Sequence, residues 1–280
     1  LKRGWAVALA VVLAAVLAYG GDRLYRRSLP PPPVIVPRDA GVDAALGMPA
    51  GERFRRAFFG SRGIAGPKLI ALTFDDGPYP VASAELLAVL AAAHVHATFF
   101  LIGRDAEQYP GVVRAIAAAG NEIADHTQTH PNLTALDAAG VRAELQTGAA
   151  TLARIADQPS VHRLFRPPHG RYDRTTLTAA QAAGFDTILW TDDPGDWRNV
   201  PPAALLAHVT RFATAPEILL LHSGRDATIA MLPALIERFR QAGYTFVTVG
   251  ELLGRATPEQ LRRAARVPLP GGTSATPERL

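Results

Sequence analysis

Between Pro67 and Gly254 the chain alternates short apolar runs with longer segments of helical period, and that alternation leaves few folds open to it. Strands are predicted at 68–74, 97–102, 121–125, 163–166, 186–191, 217–221 and 244–249. Helices are predicted between them, at about 82–93, 106–119, 138–156, 174–183, 202–213 and 228–242. Repeated βα units imply a parallel sheet, open or closed into a barrel. The strand count falls one short of a full eight-stranded barrel.

The polar residues at the ends of these strands carry the chemistry. Leu69–Pro78, LIALTFDDGP, reads as a strand buried on both faces that breaks off at Asp75, Asp76, Gly77 and Pro78. Successive strand residues point to opposite faces, so both carboxylates reach one cavity only if the turn at Gly77 and Pro78 brings them there. Taken alone, the stretch is equally an ordinary Asp-Asp-Gly surface turn. The third strand, however, ends in HTQTH over 126–130, and the fourth in RPPHG over 166–170. The fifth runs into DPGDW over 193–197, and the sixth ends at His222. In a barrel these ends share one mouth, where barrel enzymes place their active sites.

His126 and His130, four apart, can aim two imidazoles at one metal, and a strand-end carboxylate can complete a His, His, Asp set. Such a set leaves positions for water and substrate, as a catalytic site requires. Nitrogen and oxygen ligands suit zinc, cobalt, nickel, iron or manganese. Asp76 can then be the ligand and Asp75 the base that takes a proton from water, its pKa held low by the metal and an arginine. Arg166, placed by Pro167 and Pro168, can pair with a carboxylate. Gly170 permits close backbone approach, and an N–H of its loop can face a developing oxyanion. His222 is either a satisfied core histidine or a general acid whose imidazole Asp196 holds and whose pKa it raises. Trp197 is equally packing or a sugar platform. His94, His96, His162, His169 and His208 read as surface or loop histidines.

Composition narrows the function classes. The 280 residues contain no cysteine, which excludes disulfides, thiolate catalysis and Cys-type zinc sites. A net charge of +4 without a basic-aromatic repeat argues against nucleic-acid binding. Lys2 and Arg3 precede an apolar run, Trp5–Gly21, whose length of about 17 residues is the short limit for a spanning helix. It is expected to be an uncleaved anchor, with signal-peptide cleavage near Ala18 or Gly20 as the alternative. Arg23, Arg26 and Arg27 follow the run and count against an orientation with the C-terminus outside. Pro30–Pro33 and Pro37 read as a stiff polyproline spacer. The tail beyond Arg266 has the composition of a disordered segment.

From about Pro67 to Gly254 the chain resembles polysaccharide deacetylases of the NodB-homology type, carbohydrate esterase family 4. TFDDG, H-T-x-T-H, R-P-P-x-G, D-x-x-D-W and L-x-L-H occur in that family's order, and together they are specific to it. The resemblance implies an α/β fold, a distorted, incomplete (β/α)7-type barrel, preceded here by a single N-terminal hydrophobic helix. It implies metal-dependent removal of N-acetyl groups from N-acetylglucosamine polymers, with zinc the first expectation for the metal. By motif, Asp75 would be the base, Asp76, His126 and His130 the metal ligands, and Arg166 the residue that orients the base. His222 would be the general acid supported by Asp196, and Trp197 and Leu221 would line the acetyl pocket. His169 stands where the family often has tyrosine and is expected to contact substrate. The expected organisation is an anchor or signal segment over 1–27, a Pro-rich linker over 28–66, the catalytic domain over 67–254 and an extension over 255–280. The tether and spacer favour peptidoglycan at the cell envelope as substrate. Chitin-like oligosaccharides, another exopolysaccharide, O-acetyl xylan and a non-catalytic glycan-binding role are the alternatives.

Overall fold

The structure, a computed structural model, describes residues 68–157, 164–213 and 215–254, together with the backbone of the strand β1, Ile35–Val36. The remaining strands are β2 (Leu69–Asp75), β3 (Thr98–Leu101), β4 (Glu122–Asp125), β5 (Leu164–Phe165), β6 (Asp186–Ile188), β7 (Glu217–His222) and β8 (Thr245–Phe246). The helices are α1 (Pro80–Ala92), α2 (Gly103–Gln108), α3 (Pro110–Ala118), α4 (Ala138–Ala156), α5 (Arg174–Ala182), α6 (Pro202–Phe212), α7 (Asp226–Gln241) and α8 (Val249–Gly254). The sheet runs β1-β6-β5-β4-β3-β2-β7, with β8 beside β2. All its pairings are parallel except that of β1 with β6.

The apolar run of β2 explains why it sits at the centre. All seven of its residues are buried, as a strand covered on both faces requires. One edge pairs with β7 from Ile70 to Asp75; the other pairs with β8 at its start and β3 at its end. Alternate residues then feed two cores. Leu69 and Ala71 join Phe100, Ala124, Ile188 and Ile218 on the inner face. Ile70, Leu72 and Phe74 pack outward with Leu86 and Leu90 of α1, Leu205 and Val209 of α6, and Leu232 and Leu235 of α7. Each such Leu, Ile or Phe contributes about 1.5–3 kcal/mol by leaving water.

The sheet curls. Beyond β6 the Thr191 N–H donates to the Ile218 carbonyl (2.8 Å) and the Leu220 N–H to the Asp192 carbonyl (3.0 Å). Residues 191–192 thus come alongside β7, although β6 is far from β7 in the strand order. This is a curled parallel half-barrel with helices outside, consistent with the expected incomplete barrel.

Several local expectations need correction. The helix expected over 106–119 is two, because Pro110 cannot continue α2; Tyr109 between them leaves helical geometry (φ −127, ψ 56). The strand expected over 244–249 stops at Phe246, and α8 follows. Its start is a capping box: the Thr248 N–H donates to Glu251 Oε2 (2.8 Å) and the Glu251 N–H to Thr248 Oγ1 (3.2 Å). The strand expected over 186–191 ends at Ile188, and its last residues serve the contact with β7 instead. The segment read as linker supplies β1. The expected N-terminal helix and C-terminal extension lie outside the described residues, among which no helix is long and apolar enough to cross a membrane.

Candidate active site

Two consecutive left-handed residues end β2: Asp76 (φ 68) and Gly77 (φ 77). They turn the chain so that Asp76 follows Asp75 to the same side, as the turn reading required. Asp75 is buried and Asp76 partly open to solvent. Asp75 Oδ1 accepts from Arg166 Nη1 (2.5 Å), while Oδ2 faces His126 Nε2 at 3.9 Å. Burial raises the Asp75 pKa above the usual carboxylate range, outweighing the lowering by Arg166 and His222. Arg166 lowers it, as expected of the arginine, but without a metal ion burial is the larger effect.

Arg166 is fully buried and held at every nitrogen. Nη1 also donates to Thr73 Oγ1 (2.8 Å), Nε to the Ile188 carbonyl (3.2 Å) and Nη2 to the Leu189 carbonyl (2.8 Å). Its guanidinium lies 4.1 Å from the centre of the Phe100 ring. Desolvation lowers its pKa, but so many partners keep it a fixed cation beside one oxygen of Asp75.

The histidine loop is clamped from two sides. The N–H groups of Gly103 and Arg104, opening α2, donate to the carbonyls of Thr127 (3.0 Å) and Gln128 (2.8 Å). From α4, Glu144 accepts from the Thr129 N–H (2.8 Å) and hydroxyl (2.9 Å). Helix α4 approaches this closely because residue 148 is glycine; a Cβ there would lie 2.5 Å from Asp125 Oδ1 and 2.9 Å from the Thr127 carbonyl carbon. Asp125 itself is buried, and burial pushes its carboxyl well above the usual range.

The loop delivers His126 and His130 to Asp76. Their Nε2 atoms lie 3.7 and 3.4 Å from Asp76 Oδ1. One ligand atom from each of the three falls within 4.8 Å of the others. Two ligands of a tetrahedral zinc, each at about 2.1 Å, stand roughly 3.4 Å apart, so the set fits a metal ion. Tautomer fits as well. His126 Nδ1 lies 2.8 Å from the Arg166 carbonyl, which can only accept, so Nδ1 carries the proton and the Nε2 lone pair faces the site. Burial first, and then His130, lower the His126 pKa to about 3, against the raising effect of Asp76; the ring is neutral, as a ligand must be. Asp76 and His130 are only partly buried, which leaves an open side.

Facing this set, His222 ends β7 as the register partner of Asp75. His222 Nδ1 bonds Asp196 Oδ1 (2.7 Å), and the His222 N–H donates to Asp196 Oδ2 (2.8 Å). The Thr228 hydroxyl of α7 fills the same Oδ2 (2.6 Å). Burial opposes charging the ring, but the Asp196 hydrogen bond and charge, with Asp75 and Asp76, raise its pKa to about 9.

The remaining predicted residues divide. His169 (φ 59) packs edge-on against His130, ring centres 4.7 Å apart, and so belongs to the rim of the metal set. Gly170 (φ 64) is required by packing: a Cβ there would stand 2.5 Å from Trp190. Its own N–H and that of Arg171 are taken by the carbonyls of Pro167 and Pro168. The His169 N–H donates to none of the described residues, so it is the free donor of the loop. Trp197 is 42% exposed, with the Arg198 guanidinium 4.3 Å from its ring centre. The structure does not bring Leu221 to the site. It lies in the outer core with α1, α6 and α7, and Leu220 shares the His222 face. His208 is not a surface histidine, since its Nε2 bonds the buried Asp192 (2.9 Å). His162 lies outside the described residues.

A cavity of about 490 Å³ opens between Asp76 and His222, lined also by Tyr79, Val81, Gly224 and Arg225. Sequence reasoning missed Tyr79 and Arg225; their only signal was position, three residues beyond Asp76 and three beyond His222 respectively.

Comparison with known proteins agrees with this geometry. Residues 62–188 match the family model described as polysaccharide deacetylase. A peptidoglycan-N-acetylglucosamine deacetylase of Bacillus cereus is 35% identical over 191 residues, covering 66% of this chain and 88% of that protein. A chitooligosaccharide deacetylase of Sinorhizobium fredii is 34% identical, covering 64% and 89%. Among solved structures, a mutant of a Bacillus anthracis family 4 pseudoenzyme with restored activity superposes with a TM-score of 0.64 at 31% identity, over 67% of this chain and 68% of that one.

Proposed function

This chain belongs to the polysaccharide deacetylases of carbohydrate esterase family 4, hydrolases of amide bonds, and from that membership we propose that it removes N-acetyl groups from the N-acetylglucosamine residues of peptidoglycan in a metal-dependent reaction. The observation that carries the reading is the pairing of Asp75 and His222 in register across the Asp76, His126 and His130 set. Because a solved relative on the same scaffold is a pseudoenzyme, these side chains, and not the fold, support turnover.

Asp76, His126 and His130 would hold a divalent cation, zinc first among those the donors suit. The chemistry such an ion supplies when bound is polarisation of the acetamide carbonyl and a lowered pKa for water. Asp75, with Oδ1 fixed by Arg166, takes the proton of the attacking water on Oδ2, the oxygen that faces the set. The His169 N–H donates to the oxyanion that develops on the carbonyl oxygen. His222, charged through Asp196, gives its Nε2 proton to the departing glucosamine nitrogen, which would otherwise leave as an unstable amide anion. Leu220 takes the place expected of Leu221 beside the acetyl methyl, and the exposed Trp197 would line the same pocket.

Peptidoglycan is preferred because the Bacillus cereus relative carries that activity and because an apolar run and a proline spacer precede the domain. On this reading the run Trp5–Gly21 keeps the domain at the cell envelope. The Sinorhizobium fredii relative supports chitooligosaccharides as the second reading. The test is acetate release by the full chain from peptidoglycan and from chitin oligomers, after metal removal and after zinc or cobalt is restored. Metal-restored release, faster on peptidoglycan and lost in Asp75→Asn and His222→Asn proteins of native circular dichroism, is the expected result. Release that survives both substitutions, or none from either polymer, overturns the proposal.

A further inference from the structure

We propose that Tyr79 and Arg225 form a subsite that selects glycans bearing a carboxylate on the sugar beside the one deacetylated; this rests on the deacetylase reading of the same cleft. Arg225 stands three residues after His222, at the turn from β7 into α7, and lines the cavity that Asp76 and His222 also line. Its guanidinium makes no hydrogen bond or ion pair with the described residues. The other arginine of the site, Arg166, is held at every nitrogen. A half-buried cation that supports no part of the fold, beside a reactive centre, is disposed to meet an anion from outside. Guanidinium matches carboxylate with two parallel hydrogen bonds.

Tyr79 supplies the neighbouring surface. Its ring is 40% exposed and lies against Gly224, where a Cβ would come within 2.8 Å of the ring edge. Its backbone is pinned by the N–H bond to Ser83 Oγ (3.0 Å). The ring lies against Gly77 and Gly224 and lines the same cavity as Arg225, where it offers a plane for the apolar face of a sugar. The cavity is within the size range of small-ligand sites and extends from Asp76 and His222 to Tyr79 and Arg225.

Binding to metal-stripped full-length protein tests the subsite without turnover. Three probes are needed: peptide-free peptidoglycan strands with free lactyl carboxylates, the same strands with those carboxylates converted to methyl amides, and chitopentaose. The carboxylate strands should bind about tenfold more tightly than the amidated ones, less so at high salt. Arg225→Gln should bring that ratio close to one, Arg225→Lys should restore part of it, and Tyr79→Ala should weaken all three probes alike. Equal binding of the two strand forms, or a ratio that Arg225→Gln leaves unmoved, overturns the subsite. Acetate release separates this outcome from the parent reading. Release with an unmoved ratio sinks the subsite alone, whereas a ratio that collapses without any release sinks the deacetylase alone.

Discussion

Burial acts in opposite directions on the proposed base and the proposed acid, yet both pKa values end up raised. Asp75 is pushed up by burial and restrained by one fixed arginine, while His222 is held up to about 9 by Asp196 despite burial. Activity should therefore fall as pH rises through about 9, where His222 loses its proton. Asp196→Asn should move that limb down by more than a unit in a profile of kcat/KM against pH. The same charge state bears on stability. The folded pKa of His222 lies above its unfolded value of about 6.5, so its contribution is complete below that pH and is lost as pH rises through about 9. Denaturation midpoints of the parent and His222→Asn should accordingly converge from pH 6 to pH 9.5. Of the two proposed histidine ligands, His126→Ala should also cost about 1–3 kcal/mol of folding, because the buried Arg166 carbonyl loses its partner; His130→Ala should weaken metal binding with little change in the melting temperature. At this scale the sequence showed which residues gather at the candidate site, since polar side chains at buried strand ends are conspicuous. It was misread where parity mattered: counting back from His222 by two gives Leu220, and the adjacent Leu221 necessarily faces the helices. Tyr79 and Arg225 belong to no motif and became visible only when the chain folded them against one cavity.

At the scale of elements, the candidate metal set is a property of packing between α2 and α4. Gly148 lies in a helix interior, where glycine costs about 1 kcal/mol relative to alanine. Here alanine should be worse, because its methyl meets Asp125 and the backbone of Thr127. Gly148→Ala should displace the 126–130 loop, lowering metal affinity in calorimetric titration and stability by about 1–3 kcal/mol. The opening of α8 is a smaller test: Thr248→Ala removes one half of its capping box and should cost about 1 kcal/mol. Pro110, which divides α2 from α3, and the T-x-x-E at 248–251 were legible by local rules. The role of Gly148 was not, because it depends on what a distant loop brings against the helix.

Across the whole molecule, the parallel order of β6 to β2 and the common mouth follow from repeated βα units, which is why the fold class could be read without coordinates. The contact of residues 191–192 with β7 and the addition of β1 are long-range pairings of short segments, and period alone carries no trace of them. One further consequence comes from the position of β2. It is the first long strand of the sheet, yet one edge waits for β7 and part of the other for β8, and the Ser223–Asp76 contact spans 147 positions. Loop closure over such a distance is slow. During synthesis, an N-terminal portion carrying β2 to β6 holds both aspartates and both histidines but presents an unpaired apolar edge until residues 217–246 arrive. The three proposed metal ligands would thus be synthesised before the proposed proton donor, His222. The chain becomes competent for catalysis only when it also ceases to be prone to aggregation, so a nascent or truncated copy should be insoluble before it is merely inactive.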